Sequence, residues 1–234
     1  MSAQGMGDEC NAELDRVIKE RRTVRAFAGG DLPRETVESI LEAGRLAPFA
    51  SIAVDDPLFR RLAVLPAGGK ALQRAEEIIR ARMGMRLEMM KAQMAKDEAF
   101  REKAAKYVGR IEALSGGGDV GFAGVSCYII AAEMRGFPPV EERSLAHVMQ
   151  NMWLKASALG LGFRLLSVTT MMADDEEFCS LVGLPAGKFA FDGCVIGNPK
   201  VVPPPPERAS LAEITTWLAD TGTNGTRYFP FTLG

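Results

Sequence analysis

The chain has 234 residues, with 28 Lys+Arg against 30 Asp+Glu, a formal net charge of −2 and 47% hydrophobic residues, enough to bury a core without disulfide or metal staples. That charge balance excludes the broad basic field of a dedicated nucleic-acid binder, so any anion site must be local. Cys10, Cys127, Cys179, Cys194 and the single His147 lack zinc-ligand spacing, no apolar run spans a bilayer, and the first ten residues carry no secretory pattern, so a reduced, cytoplasmic setting is expected.

Ala12 to Glu20 sets Leu14, Val17 and Ile18 on one face, which predicts a short amphipathic helix running straight into Arg21-Arg22-Thr23-Val24-Arg25-Ala26-Phe27. After the polar loop 28–30, a second helix is opened by Asp31 and Pro33, carried by Val37, Ile40, Leu41 and Gly44, and stopped by Pro48. Arg61 to Leu65 predicts a short strand before a turn at Pro66 to Gly69. The proline-free stretch from Lys70 to Leu114 predicts one long helix or two broken near Gly84 or Asp97. Its Met stripe suits a core or subunit contact better than a promiscuous groove.

A glycine-rich turn at Ser115 to Asp119 precedes a buried strand from Gly124 to Ala132, and Glu141 to Leu159 predicts a helix closed by Gly160. Phe163 to Thr169 and Phe189 to Ile196 read as strands, separated by an acidic helical turn, Ala173 to Val182. The run Pro203 to Pro206 ends this alternation, and Leu211 to Leu218 predicts a last short helix. The pattern is that of an α+β protein in a single domain, 1–234, with a helical excursion at about 70–114 and a C-terminal extension from about 200.

Several motifs match by letter and fail by context. Gly116 to Gly121 fits G-x-G-x-x-G but follows a helix and precedes a strand, the reverse of a dinucleotide loop. His147 has no nucleophile signature nearby and reads as structural. Asp174 to Glu177 lacks the ligand alternation of a calcium loop and suits the first turn of a helix. The segment that survives is Arg21 to Arg25, where three guanidiniums and a hydroxyl fall within five residues, a credible clamp for phosphate or carboxylate.

Four segments then carry a resemblance in order. Glu20 to Phe27 resembles the basic opening motif R-R-S-x-R-x-F of the nitroreductase family, and Ile40 to Pro48 resembles that family's helix ending in A-P-S. Gln150 to Gly162 resembles its central helix ending in G-L-G, and Val195 to Pro199, with Arg208 beyond, resembles its closing strand and C-terminal basic residue. The resemblance implies a mostly antiparallel central sheet flanked by helices and an intertwined homodimer with FMN at two interface sites. By position, Arg21, Thr23 and Arg208 are expected to hold the FMN phosphate, Arg22 to lie near the ribityl chain or isoalloxazine, and Arg25 to approach the N1/O2 edge. Pro48, Phe49, Ala50 and Ser51 are expected from the second chain, and backbone N–H groups at Leu166, Ser167 and Val168 are expected to face O4 or N5.

The implied activity is oxidoreduction, with hydride passing from NADH or NADPH through flavin N5 to a small electron-poor acceptor such as a nitroaromatic or quinone. No side-chain base, metal, nucleic acid or membrane enters it. The chain departs from the family between Phe49 and Phe59, where a polar stretch leading to Q-P-W is replaced and only Pro57 and Phe59 remain similar; Asp55 and Asp56 add negative charge there. That departure supports an alternative reading, a flavin-binding or scaffold protein of the same fold without turnover.

Overall fold

A run such as Cys-Tyr-Ile-Ile-Ala-Ala has no polar face and suits a strand covered on both sides. In the computed structural model, which describes residues 3–49, 54–116 and 118–216, that run forms the second of four strands. In chain order the elements are α1 (Ala3–Glu20), α2 (Arg34–Arg45), β1 (Arg60–Pro66), α3 (Lys70–Met94), α4 (Glu98–Ser115), β2 (Cys127–Met134), α5 (Glu141–Ala158), β3 (Gly162–Leu165), a 3-10 turn (Ser167–Met172), α6 (Glu176–Leu181), β4 (Phe189–Gly197) and α7 (Leu211–Ile214). The chain divides into two units, Met1–Pro203 and Pro204–Gly234. No helix among the described residues is long and apolar enough to cross a membrane.

The sheet has the order β1-β2-β4-β3, with every pair antiparallel. Side chains alternate across it with period two. Tyr128, Ile130, Phe191 and Val195 join Leu72, Ile79 and Met83 of α3 and Val108 and Ile111 of α4 in one apolar cluster. Cys127, Ile129, Cys194 and Ile196 join Ile40 of α2 and Leu145, Val148 and Met152 of α5 in the other. The sheet is thus the middle of three layers. At Gly44 the α2 and α5 backbones come so close that a Cβ would meet Met152 Cγ at 2.8 Å.

The long helical stretch breaks at Ala95 to Asp97, because Asp97 caps α4 by accepting the Phe100 N–H at 2.9 Å. Gly84 stays inside α3, since a helical glycine costs only about 1 kcal/mol. The first helix begins earlier than expected, at Ala3. The strand expected from Phe163 to Thr169 ends at Leu165. Thr169 Oγ1 donates to the Leu166 carbonyl at 2.7 Å while pairing with Tyr128 Oη at 2.7 Å, and this local bond favours the 3-10 turn over a longer strand. Asp175 caps α6 with Glu176 and Glu177 in its first turn, as helix-dipole reasoning expects. His147 lies on the exposed side of α5.

Candidate flavin-type active site

The basic segment leaves α1 and runs along the free edge of β3. Val24 N–H donates to the Phe163 carbonyl at 3.1 Å, and Thr23 bridges Phe163 in parallel. Further on, Ala28 N–H donates to Asn198 O and Lys200 N–H to Ala26 O, both at 2.9 Å, which ties the segment to the chain leaving β4. Gly162 makes this approach possible, because a Cβ there would lie 2.8 Å from Phe27 and 2.9 Å from Val24. Residues 23–27 therefore pack along the start of β3, and the 3-10 turn follows its other end.

Each predicted side chain has a definite place. The Arg21 guanidinium lies 3.9 Å above the Trp153 ring, which stacks in turn on Phe163; Trp153 Nε1 donates to the Arg22 carbonyl at 3.2 Å. Trp153 is buried and orients the basic segment. Arg22 turns back onto the Lys19 and Arg21 carbonyls at 2.7 and 2.9 Å, satisfying the C-terminus of α1. Its Nη1 is therefore engaged in a helix cap. Thr23 is half-buried and Arg25 exposed. A cleft of about 330 Å³ flanks Arg16, Glu20 and Arg22, but Arg16 is already paired with Glu13 and Glu20, so little positive charge is left there for an anion.

Among the three backbone positions after β3, the Leu166 N–H donates to Gly193 O at 2.8 Å. That corrects the expectation of a ligand-facing donor at Leu166. Ser167 and Val168 open the 3-10 turn, where N–H groups lack partners within their own helix. Pro48 and Phe49 lie just past α2, with Phe49 exposed and stacked on Phe59 at 3.9 Å. Ala50 and Ser51 lie outside the described residues. Arg208 is exposed and belongs to the second unit.

Two features escaped the sequence reading. Arg164 of β3 donates through Nη2 to the Gly121 carbonyl, and its Nε is the one buried side-chain N or O atom without a partner among the described residues. Gly121 has φ +119° and no room for a Cβ, which would collide with this guanidinium. Burial holds the Arg164 pKa below its usual value; the Asp119 carboxylate offsets this, while the charges of Arg110 and Arg25 add to it. The Asp119 carboxylate also accepts the N–H groups of Gly121, Phe122 and Ala123 at 2.8, 2.7 and 3.0 Å. The available signal was an arginine interrupting an apolar strand two residues after G-L-G.

The second feature is a buried ion pair between Arg60 of β1 and Glu133 of β2, with Nη2 2.6 Å from Oε1 and side chains 6% and 3% exposed. Breaking such a pair from one side typically costs roughly 3–5 kcal/mol. Opposite charges were visible in the sequence, but only the strand register Arg60↔Glu133 brings them together.

The nitroreductase family model matches residues 18–198. Solved structures with the same fold include a nitroreductase with bound FMN from Desulfitobacterium hafniense DCB-2, 22% identical over 88% of this chain and 98% of that one, with a TM-score of 0.62. A nitroreductase with bound FMN from Bacteroides fragilis NCTC 9343 is 20% identical over 88% and 99%, with a TM-score of 0.58. A mutant FMN- and NADPH-dependent nitroreductase from Sphigopyxis sp. strain HMH is 17% identical over 87% and 98%, with a TM-score of 0.59. No curated protein sequence matches the chain significantly.

Proposed function

The chain belongs to the nitroreductase family, and from that premise we propose that it is a homodimeric FMN-dependent oxidoreductase taking electrons from NADH or NADPH and passing them to a small electron-poor acceptor such as a nitroaromatic or quinone. The observation that carries this reading is the docking of the basic segment on β3 through Val24 and Phe163, with a half-buried guanidinium on β3 whose buried Nε has an unused donor. The residues present fit the cofactor. Arg164, with a buried Nε that has no partner and the charges of Arg25 and Arg110 acting on it beside that of Asp119, favours an electron-rich ligand edge and supplies the polar recognition missing between Phe49 and Phe59.

In this reading Arg21 and Thr23 hold the phosphate, and the Trp153 ring fixes the plane of the Arg21 guanidinium. Arg25 and Arg164 face the pyrimidine edge, where positive charge favours electron uptake. Ser167 and Val168 offer the backbone N–H groups of the 3-10 turn. Bound FMN supplies hydride acceptance from the nicotinamide and its delivery to the acceptor. The chain contributes binding, orientation and charge, with no side-chain base required. Pro48, Phe49, Ala50 and Ser51 come from the second chain.

An anaerobic absorbance titration of the FMN-loaded protein tests this: NADPH or NADH is expected to bleach the visible flavin band, and a nitroaromatic or quinone to restore it. The stacked Phe49–Phe59 pair, standing where the family carries polar groups, favours a second reading, a flavin carrier without turnover. Retained flavin that neither nucleotide bleaches would select it.

A further inference from the structure

The C-terminus of α2 ends in carbonyls that its own helix cannot satisfy. One side chain from the sheet satisfies them: Arg60 Nη1 donates to Gly44 O and Arg45 O at 3.0 Å and to Ala47 O at 2.9 Å. The other side of the same guanidinium is taken by Glu133, through Nε at 2.7 Å and Nη2 at 2.6 Å. Arg60 Nη2 also donates to Ser144 Oγ of α5 at 3.2 Å, and Ser144 Oγ donates onward to the Pro48 carbonyl at 3.2 Å. The guanidinium carbon lies 5.2 Å from the Phe59 ring centre, and Phe59 stacks on Phe49. A planar fork with five donors reaches all these partners at once; a lysine ammonium could not.

We infer that Arg60, Glu133 and Ser144 are positioning residues for the flavin site: a buried knot that joins β1, β2 and α5 and sets where Pro48 and Phe49 stand against the cofactor. The inference rests on the proposed function, in which Pro48 and Phe49 touch FMN. Its physical basis is that the turn after α2 has no strand or helix of its own. Beyond the Leu46 and Ala47 N–H bonds back to Glu42 and Gly44, its backbone is held through the Ala47 and Pro48 carbonyls, and both of those bonds lead to the one guanidinium. A merely structural pair would need only Glu133.

The test compares three full-length proteins for melting temperature without cofactor, FMN dissociation constant by fluorescence quenching, and visible circular dichroism of bound FMN. Arg60→Met with Glu133→Leu replaces the pair by apolar groups of similar size, an exchange proteins often tolerate. Ser144→Ala leaves the pair and removes only the hydroxyl that links Arg60 to Pro48. The expected result is a double variant that folds with a lowered melting temperature, because the Gly44, Arg45 and Ala47 carbonyls lose their donor, binds FMN about tenfold more weakly and changes the dichroism of the bound flavin, with a smaller change of the same sign in Ser144→Ala, which keeps its melting temperature. Unchanged affinity and dichroism in both variants would overturn the inference and leave the flavin reading intact. A wild-type protein that takes up no FMN would overturn both. If the double variant does not fold, Ser144→Ala decides: altered flavin dichroism supports the knot and unaltered dichroism refutes it.

Discussion

Asp192 is the least comfortable carboxylate in the sheet. It lies on the β4 face that carries Ala190, Cys194 and Ile196 toward α5, and accepts the Gly193 N–H at 2.7 Å. Burial pushes its pKa from 3.8 up to about 6. The folded state therefore holds this proton more tightly than the unfolded state, so the contribution of Asp192 to stability is greatest below 3.8 and falls as pH rises through about 6. Asp192→Asn keeps the acceptor and removes the charge. Urea melts of the cofactor-free protein are expected to show a gain on the order of 2–3 kcal/mol at pH 8 that vanishes near pH 4; a pH-independent difference would be incompatible with this account. Gly162→Ala is expected to cost about 1–3 kcal/mol in the same assay, since its Cβ would enter the space of Val24 and Phe27. The sequence exposed Gly162 as part of a motif, but not the neighbours that exclude a side chain there.

At the scale of elements, the loop before β2 depends on one residue. Asp119 Oδ1 accepts three consecutive N–H groups, from Gly121, Phe122 and Ala123, and so holds in place the Gly121 carbonyl that receives Arg164. Asp119→Ala is expected to raise amide hydrogen exchange at these three residues by at least tenfold, a local loss of about 1–3 kcal/mol. Exchange at wild-type rates would mean the loop is held by packing alone. The helix boundaries here followed from caps and breakers legible in the sequence, as at Asp97 and Asp175. The end of β3 did not, because the choice of a 3-10 turn rests on Thr169 finding Tyr128, 41 residues away in sequence.

At the scale of the whole molecule, α1 lies against α5 yet leaves Leu14 and Ile18, one helical turn apart, exposed, as are Leu159 and Leu165. The proposed homodimer gives these apolar groups a partner. Leu14→Glu with Ile18→Glu is expected to yield a monomer by sedimentation and to lose FMN along with the interface. A variant that stays dimeric and keeps its flavin would place the interface elsewhere.

The sequence by itself determined the alternation of helices with a few apolar strands, the position of the basic segment and the family to which the chain belongs, because periodicity, caps and local motifs are written over short spans. Only the tertiary structure decided which carbonyls Arg60 caps, that the Leu166 N–H is taken by Gly193, and that Arg164 is left with an unused donor. Each of those outcomes depends on the register of antiparallel strands and on contacts between residues far apart in the chain, and a one-residue slip in register would exchange the faces of every side chain involved.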